Sequence, residues 1–350
     1  MATSEANSFD MADARYNTDI SRKQALEAIS YGLPKLSASL DYVYYYQLPI
    51  SILPGEVVGQ PGQDVEVQFG LPNNMDVGAD VSQLVFDMRY FIGLKATGAI
   101  KEQGLAREEL SEIDVREAVT KAYYYVLITQ RSLEILKENR KSLEDITTET
   151  KAQYEAGFVQ ELDVDRLELQ LSNLETTILN TDLLLENATL ALKFTMNYPF
   201  EEELILTEDL ESAILGLTTQ TDDQIRNFVA TQRKEYEILE LQEELKTYDF
   251  QQKRAGYYPT LVAFANYTLN AQRNSFNFSN DGKWFDIGQV GFSLNIPIFN
   301  GLNTKAITDQ AKIGALKAKN DLEKFASSAK LEVLSANNEF QNKYRNFENQ

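Results

Sequence analysis

Hydrophobic and polar positions alternate along this chain with two different periods, and the periods sort it into strands and helices. From Lys35 to Tyr46 the period is two: Leu36, Ala38, Leu40, Tyr42, Tyr44 and Tyr46 fall on one face, opposite Lys35, Ser37, Ser39, Asp41, Val43 and Tyr45. The alternation returns at Leu261, Ala263, Ala265, Tyr267 and Leu269, and again at Val290, Phe292, Leu294 and Ile296, opposite Gln289, Ser293 and Asn295. A weaker run surrounds Val77, Ala79 and Val81. Pro34 and Pro259 open their strands and Pro297 lies near a strand end, places where a missing N–H is tolerated. Such strands read equally as a half-buried antiparallel sheet of a soluble domain or as a lipid-facing barrel wall with a polar lumen.

Elsewhere the period is helical. Val164, Leu167, Leu171, Leu174, Ile178, Thr181, Leu185, Ala188 and Leu192 follow alternating steps of three and four. A 3.5-residue period held this long predicts a left-handed coiled-coil seam; the core stripe of a compact bundle is the other reading. From about Tyr90 to Glu149 no proline interrupts the chain, and roughly 60 helical residues would span about 90 Å. Between these two helices stands Gly157, in "YEAGFVQELDVDRLELQL". Glycine accepts the left-handed conformation that ends a helix, so the position predicts a hairpin tip. Pro199 ends the return helix, another helix is predicted from about Asp222 to Ala255, and a last one from near Gly301.

The strand regions repeat. "YGLPKLSASLDYVYYY" from Tyr31 and "GYYPTLVAFANYTLNA" from Gly256 share a helix end, a proline, a leucine two residues later and an alternating run. "VSQLVFDMRYFIGLKATG" from Val81 and "GFSLNIPIFNGLNTKAIT" from Gly291 both pass from strand to helix, with exits at Phe86-Asp87 and Phe299-Asn300. The Pro- and Gly-rich "LPISILPGEVVGQPGQ" marks a loop insertion in the first copy. The division that follows is a helical segment over 1–33, a strand pair with its loop over 34–86, a long helical hairpin over 87–198, a linker over 199–221, a helix over 222–256, a second strand pair over 257–299 and the start of a second hairpin over 300–350. The fold class is mainly α with a β portion.

Composition narrows the function. The chain has 33 basic against 53 acidic residues, a net charge of -20, which argues against a nucleic acid partner. It has no cysteine and no histidine. Thiol nucleophiles, Ser-His-Asp triads, His- or Cys-built zinc sites and disulfides are therefore excluded, and no catalytic, cofactor or metal residues are assigned. Paired carboxylates could serve glycoside hydrolysis, yet nothing places two of them across a pocket. No run approaches the roughly 18 to 20 apolar residues of a membrane helix, so strands alone could cross a bilayer.

The chain resembles the TolC-like outer membrane efflux protein family. The residues that carry the likeness are the strand openings "LPKLSASLDY" and "YYPTLVAFANY", the exits "SQLVFD" and "IPIFNG", the helix "VREAVTKAYYYVLITQRSLEI", the tip, and "LKFTMNYP" at the end of the first repeat. The resemblance implies a homotrimer in which long antiparallel coiled-coil hairpins form a periplasmic tunnel and the strand pairs of three protomers build one 12-stranded transmembrane β-barrel. It implies a passive exit duct for drugs, small molecules or proteins in a tripartite efflux or type I secretion system. The partners would be a periplasmic adaptor, an inner-membrane pump of RND or ABC type, and outer membrane lipid. Ala156, Gly157 and Phe158 would then meet the adaptor, and Asp163 would help hold a periplasmic gate shut. A tight turn with one exposed aromatic, and an early-helix acid favoured by the helix dipole, are the plainer roles of the same residues. Leu40, Tyr42, Tyr44, Tyr46, Leu261, Tyr267, Val290, Phe292 and Leu294 would face lipid.

Two features depart from the family pattern. "MATSEANSFDMADARYN" has no basic stretch followed by an apolar run, so no secretory signal is read there. The spacing of the first repeat puts a second tip at about position 370, beyond Gln350. The chain is therefore expected to be a fragment of a longer protein. A non-channel periplasmic coiled-coil adaptor or structural protein is the alternative function.

Overall fold

The structure, a computed structural model, describes residues 8–348 apart from 55, 58, 60–61, 216–227 and 280–281. Its elements run α1 (Phe9–Ser30), β1 (Lys35–Tyr44), β2 (Ile50–Leu53), β3 (Val65–Gln68), β4 (Asn73–Asp87), α2 (Met88–Glu155), α3 (Glu161–Thr195), α4 (Leu210–Leu215), α5 (Lys234–Arg254), β5 (Thr260–Arg273), β6 (Phe285–Asn295) and α6 (Asn303–Glu348). The expected helix start at Asp222 lies outside the described residues; within them α5 begins at Lys234, after a single 3-10 turn. The chain forms two compact units. One comprises Met1–Arg22, Ile100–Glu243 and Ala318–Gln350, the other Lys23–Ala99 and Glu244–Lys317.

The first unit is helical. Its core gathers Met11 of α1, Val115, Val119 and Val126 of α2, and Ala188 and Leu192 of α3, with Leu204 and Leu206 of the following linker packed against them. Along α3 the buried and half-buried positions from Val164 to Leu185 are Val164, Leu167, Leu171, Leu174, Ile178, Thr181 and Leu185. These are the heptad positions, so the 3.5-residue period is the stripe that packs. Thr181, the one polar member, turns its hydroxyl back to the carbonyl of Thr177 at 2.8 Å and leaves its methyl for the seam.

Close approach of α1 to α2 depends on Gly104. Thr18 donates its hydroxyl to the Gly104 carbonyl at 3.1 Å, and a Cβ on Gly104 would come 2.8 Å from Ser21. The linker after Pro199 is strapped down by Lys193. Its buried ammonium donates to the carbonyls of Phe200 at 3.0 Å and Glu202 at 2.6 Å.

The second unit holds a four-stranded antiparallel sheet in the order β1-β4-β5-β6. β1 and β5 begin one residue after Pro34 and Pro259. The insertion carries a hairpin of its own, β2 with β3. The second strand exit differs from expectation. β6 stops at Asn295, two residues before Pro297, and seven residues without strand or helix hydrogen bonding lead to α6. Proline has no N–H for the ladder, which accounts for the early end. The matched residues nonetheless share a task. Asp87 accepts the backbone N–H of Arg89 at 2.8 Å and Asn300 accepts that of Thr304 at 3.4 Å, each at the start of a helix.

Candidate functional site

The sheet register sorts its side chains onto two chemically distinct faces. Residues directly opposite in a ladder share a face. Leu40 pairs with Val77, Val77 with Leu269, Ala79 with Tyr267, Val81 with Ala265, Ala265 with Val290, Ala263 with Phe292 and Leu261 with Leu294. Tyr42 and Tyr44 continue this row in β1. Eight of the nine residues singled out for lipid therefore lie on one face, and Tyr46 lies just past the end of β1. The face is open: Val290 is 83% and Phe292 75% exposed.

The opposite face is polar. Across it run Ser37, Asp80, Asn266 and Gln289 in one row, and Asp41, Asp76 and Asn270 in another. Asn270 donates to Asp76 at 2.7 Å across the β4–β5 ladder. β1 and β6 are the sheet's edges, 10 and 11 residues long, each with one side free of backbone pairing in this sheet.

Aromatic side chains flank the strands at both ends. At the loop end Tyr42 meets Phe276 edge-on at 5.2 Å, Phe276 meets Phe278 at 5.5 Å, and Trp284 stands beside Phe278 at 6.4 Å. Tyr42 also donates its hydroxyl to Asn73 at 2.8 Å. At the helix end Tyr31, Tyr257, Tyr258 and Phe299 are exposed.

In the helical unit, α2 ends in a Schellman turn. The N–H of Phe158 bonds to the carbonyl of Gln153 at 2.9 Å and that of Gly157 to Tyr154 at 2.9 Å, with Gly157 at φ +82°. Ala156 and Phe158 flank it, and the Phe158 ring is 83% exposed. Asp163 lies in the first turn of α3, with its carboxylate 3.9 Å from Arg166. Among the described residues no group of three or more acidic side chains could hold a metal ion, and no helix is long and apolar enough to cross a membrane.

Residues 212–350 match the sequence model of the outer membrane efflux protein family. The outer membrane protein TolC of Vibrio cholerae serotype O1 is 21% identical over 271 residues, 75% of this chain and 60% of that protein. Both matches are to outer membrane efflux proteins, the family that the sequence motifs resemble. The chain spans less than two thirds of the length of its TolC relative. Three solved outer membrane proteins share the fold. The OprN channel superposes with a TM-score of 0.72 at 18% identity, over 99% of this chain and 74% of OprN. The MtrE channel of Neisseria gonorrhoeae, solved in its open state, gives 0.71 at 17% identity, over 100% and 74%. VceC of Vibrio cholerae gives 0.69 at 13% identity, over 97% and 77%.

One strand of this site was only faintly legible in the sequence, and one loop was missed. The inner strand β4 is the longest of the sheet, 15 residues, although its pattern is the weakest. The loop that went unread is the aromatic one between β5 and β6; its signal is "NSFNFSNDGKW", three aromatic residues between two alternating runs.

Proposed function

We propose that this chain is the protomer of a passive exit duct in the outer membrane, working in a tripartite efflux or type I secretion system. The observation that carries the reading is the two-faced sheet with two free edges. A bilayer offers no hydrogen-bond partner to an unpaired backbone group, so an open sheet cannot stand in lipid. Joining β6 of one copy to β1 of the next removes both edges, and the four strands of three copies make a barrel of twelve. Strands of 10 and 11 residues match the length a tilted strand needs to span the hydrocarbon. The apolar face then meets lipid, the aromatic ends sit at the two interfaces, and the Asp, Asn, Gln and Ser rows line water.

The helical hairpin extends into the periplasm in this reading. Ala156, Gly157 and Phe158 dock on a periplasmic adaptor, which joins the duct to an inner-membrane pump of RND or ABC type that supplies the energy. Asp163 contributes to a polar gate at the tunnel entrance, where breaking a few links shifts a two-state equilibrium. The absence of cysteine makes the assembly testable. In a Ser39→Cys, Gln289→Cys double variant the two thiols stand on opposite edges of one sheet and two residues out of row, about 16 Å apart and too far to join within a copy. Oxidation of this and neighbouring β1/β6 pairs is expected to yield a covalent trimer. Monomer alone from every pair would overturn the barrel and favour a non-channel coiled-coil protein.

A further inference from the structure

A cavity of about 800 Å³ opens in the second unit where the polar face of the sheet meets the ends of its helices. Its size is that of a pocket for a drug-sized molecule. Its walls include Tyr31, one of the exposed aromatics at the helix end, together with Lys35, Tyr90, Lys253 and the Asp87–Arg89 pair, which the duct reading does not use.

The chemistry of the walls is specific. Tyr90 packs across the backbone of Gly32, where there is no room for a Cβ, and donates its hydroxyl to the Ile29 carbonyl at 3.2 Å. That ring is held in place before any ligand arrives. Tyr31 presents a second ring, with the Lys35 ammonium 5.3 Å from its centre. Asp87 is the one acid in the lining, and Arg89 holds it by two guanidinium nitrogens, the closer at 2.6 Å. These two charges neutralise each other. Among the described residues Lys35 has no ion pair, and Lys253 has only the long contact to Asp249 at 3.8 Å. The remaining charge of the cavity is therefore positive, in a chain whose net charge is -20.

Position along the sheet sharpens the contrast. Lys35 and Ser82 form the row at the helix end of the polar face. The acids Asp80, Asp76 and Asp41 occupy rows nearer the loop end. An anion gains from the first row and is repelled by those beyond it.

We infer that this cavity binds a monoanionic amphiphile, a carboxylate or sulfonate on an aromatic or fused-ring body, with Lys35 and Lys253 holding the anion and Tyr31 and Tyr90 the rings. The inference rests on the duct reading only in taking the polar face as the wet one; the binding is a property of the purified chain.

The test is a fluorescence titration of the full-length protein with dansylglycine, against dansylamide as the neutral analogue, each above a detergent blank. Saturable binding is expected, with dansylglycine favoured about tenfold. The Lys35→Gln, Lys253→Gln double variant is expected to lose that preference, and Lys283→Gln, outside the cavity, to keep it. Equal affinity for the two probes, no saturable binding, or a preference that survives in the double variant would overturn the inference. Bilayer conductance is recorded on the same samples. Selective binding by a chain that does not conduct supports the cavity while contradicting the duct.

Discussion

Phe158 gives its backbone N–H to the carbonyl of Gln153 at 2.9 Å, while its ring stays 83% exposed. The backbone N–H groups of Ala156, Gly157 and Phe158 are thus used, and the aromatic side chain is not. Two substitutions separate these roles. Gly157→Val places a β-branched residue at φ +82°, with no atom near its Cβ, so the cost is backbone strain of about 1–2 kcal/mol and not a clash. It is expected to lower the thermal midpoint of the hairpin and weaken coupling to the adaptor. Phe158→Ala is expected to leave the midpoint within a degree or two of wild type, as an exposed residue should. Adaptor pull-down from cells checks both, and unchanged export by either variant would remove the tip from the mechanism.

Adjacent residues of β6 make an internal control for the sheet. Val290 is on the apolar face and Gln289 on the polar one. Val290→Lys is expected to cost about 2–4 kcal/mol of stability in a bilayer, and Gln289→Lys much less. Refolding into lipid vesicles, followed by urea titration, gives the two numbers. Equal penalties would mean that the two faces do not meet different solvents.

Lys193 holds the linker through two carbonyl oxygens in a buried position. Lys193→Met keeps the aliphatic stem and removes both donors. A loss of about 3 kcal/mol is expected, because each bond to a charged donor is worth more than a neutral one and the acceptors are left without a partner. Protease cleavage between Pro199 and Leu206 is expected to quicken before the helices unfold. A wild-type cleavage rate would show that the packing of Leu204 and Leu206 suffices to hold the segment.

Asp163 faces Arg166 on its own helix. If it is a gate residue, Asp163→Ala raises the resting conductance while Arg166→Ala, which leaves the carboxylate free for another cation, does not. An unaltered closed-state current in Asp163→Ala would leave it only the role of an acid in a first helical turn.

Much of this architecture was legible because it rests on local rules. Gly157, the heptad from Val164 to Leu192, and the prolines before β1 and β5 each act on the backbone or face of their own segment. The parts that were faint or escaped depend on distant partners. β4 carries Asp76, Gly78 and Asp80, poor strand formers, yet it forms because β1 and β5 pair with it on both sides. The end of β6 was misplaced because the match of Phe299-Asn300 to Phe86-Asp87 concerns the helix start, not the strand end. The cavity draws on residues from Ala28 to Ile307, so no local pattern announces it. The apolar row of the sheet was legible as alternation but not as a face. Only the register shows that Leu40, Tyr267 and Val290, far apart in sequence, lie on the same side.

The central claim is that copies of this chain enclose a water-filled pore. Planar-bilayer recording with the purified full-length protein tests it most directly. Discrete, step-like conductance from a trimeric fraction is predicted, abolished when Val290→Lys prevents insertion. A homogeneous trimer that inserts into lipid yet never conducts would contradict the account.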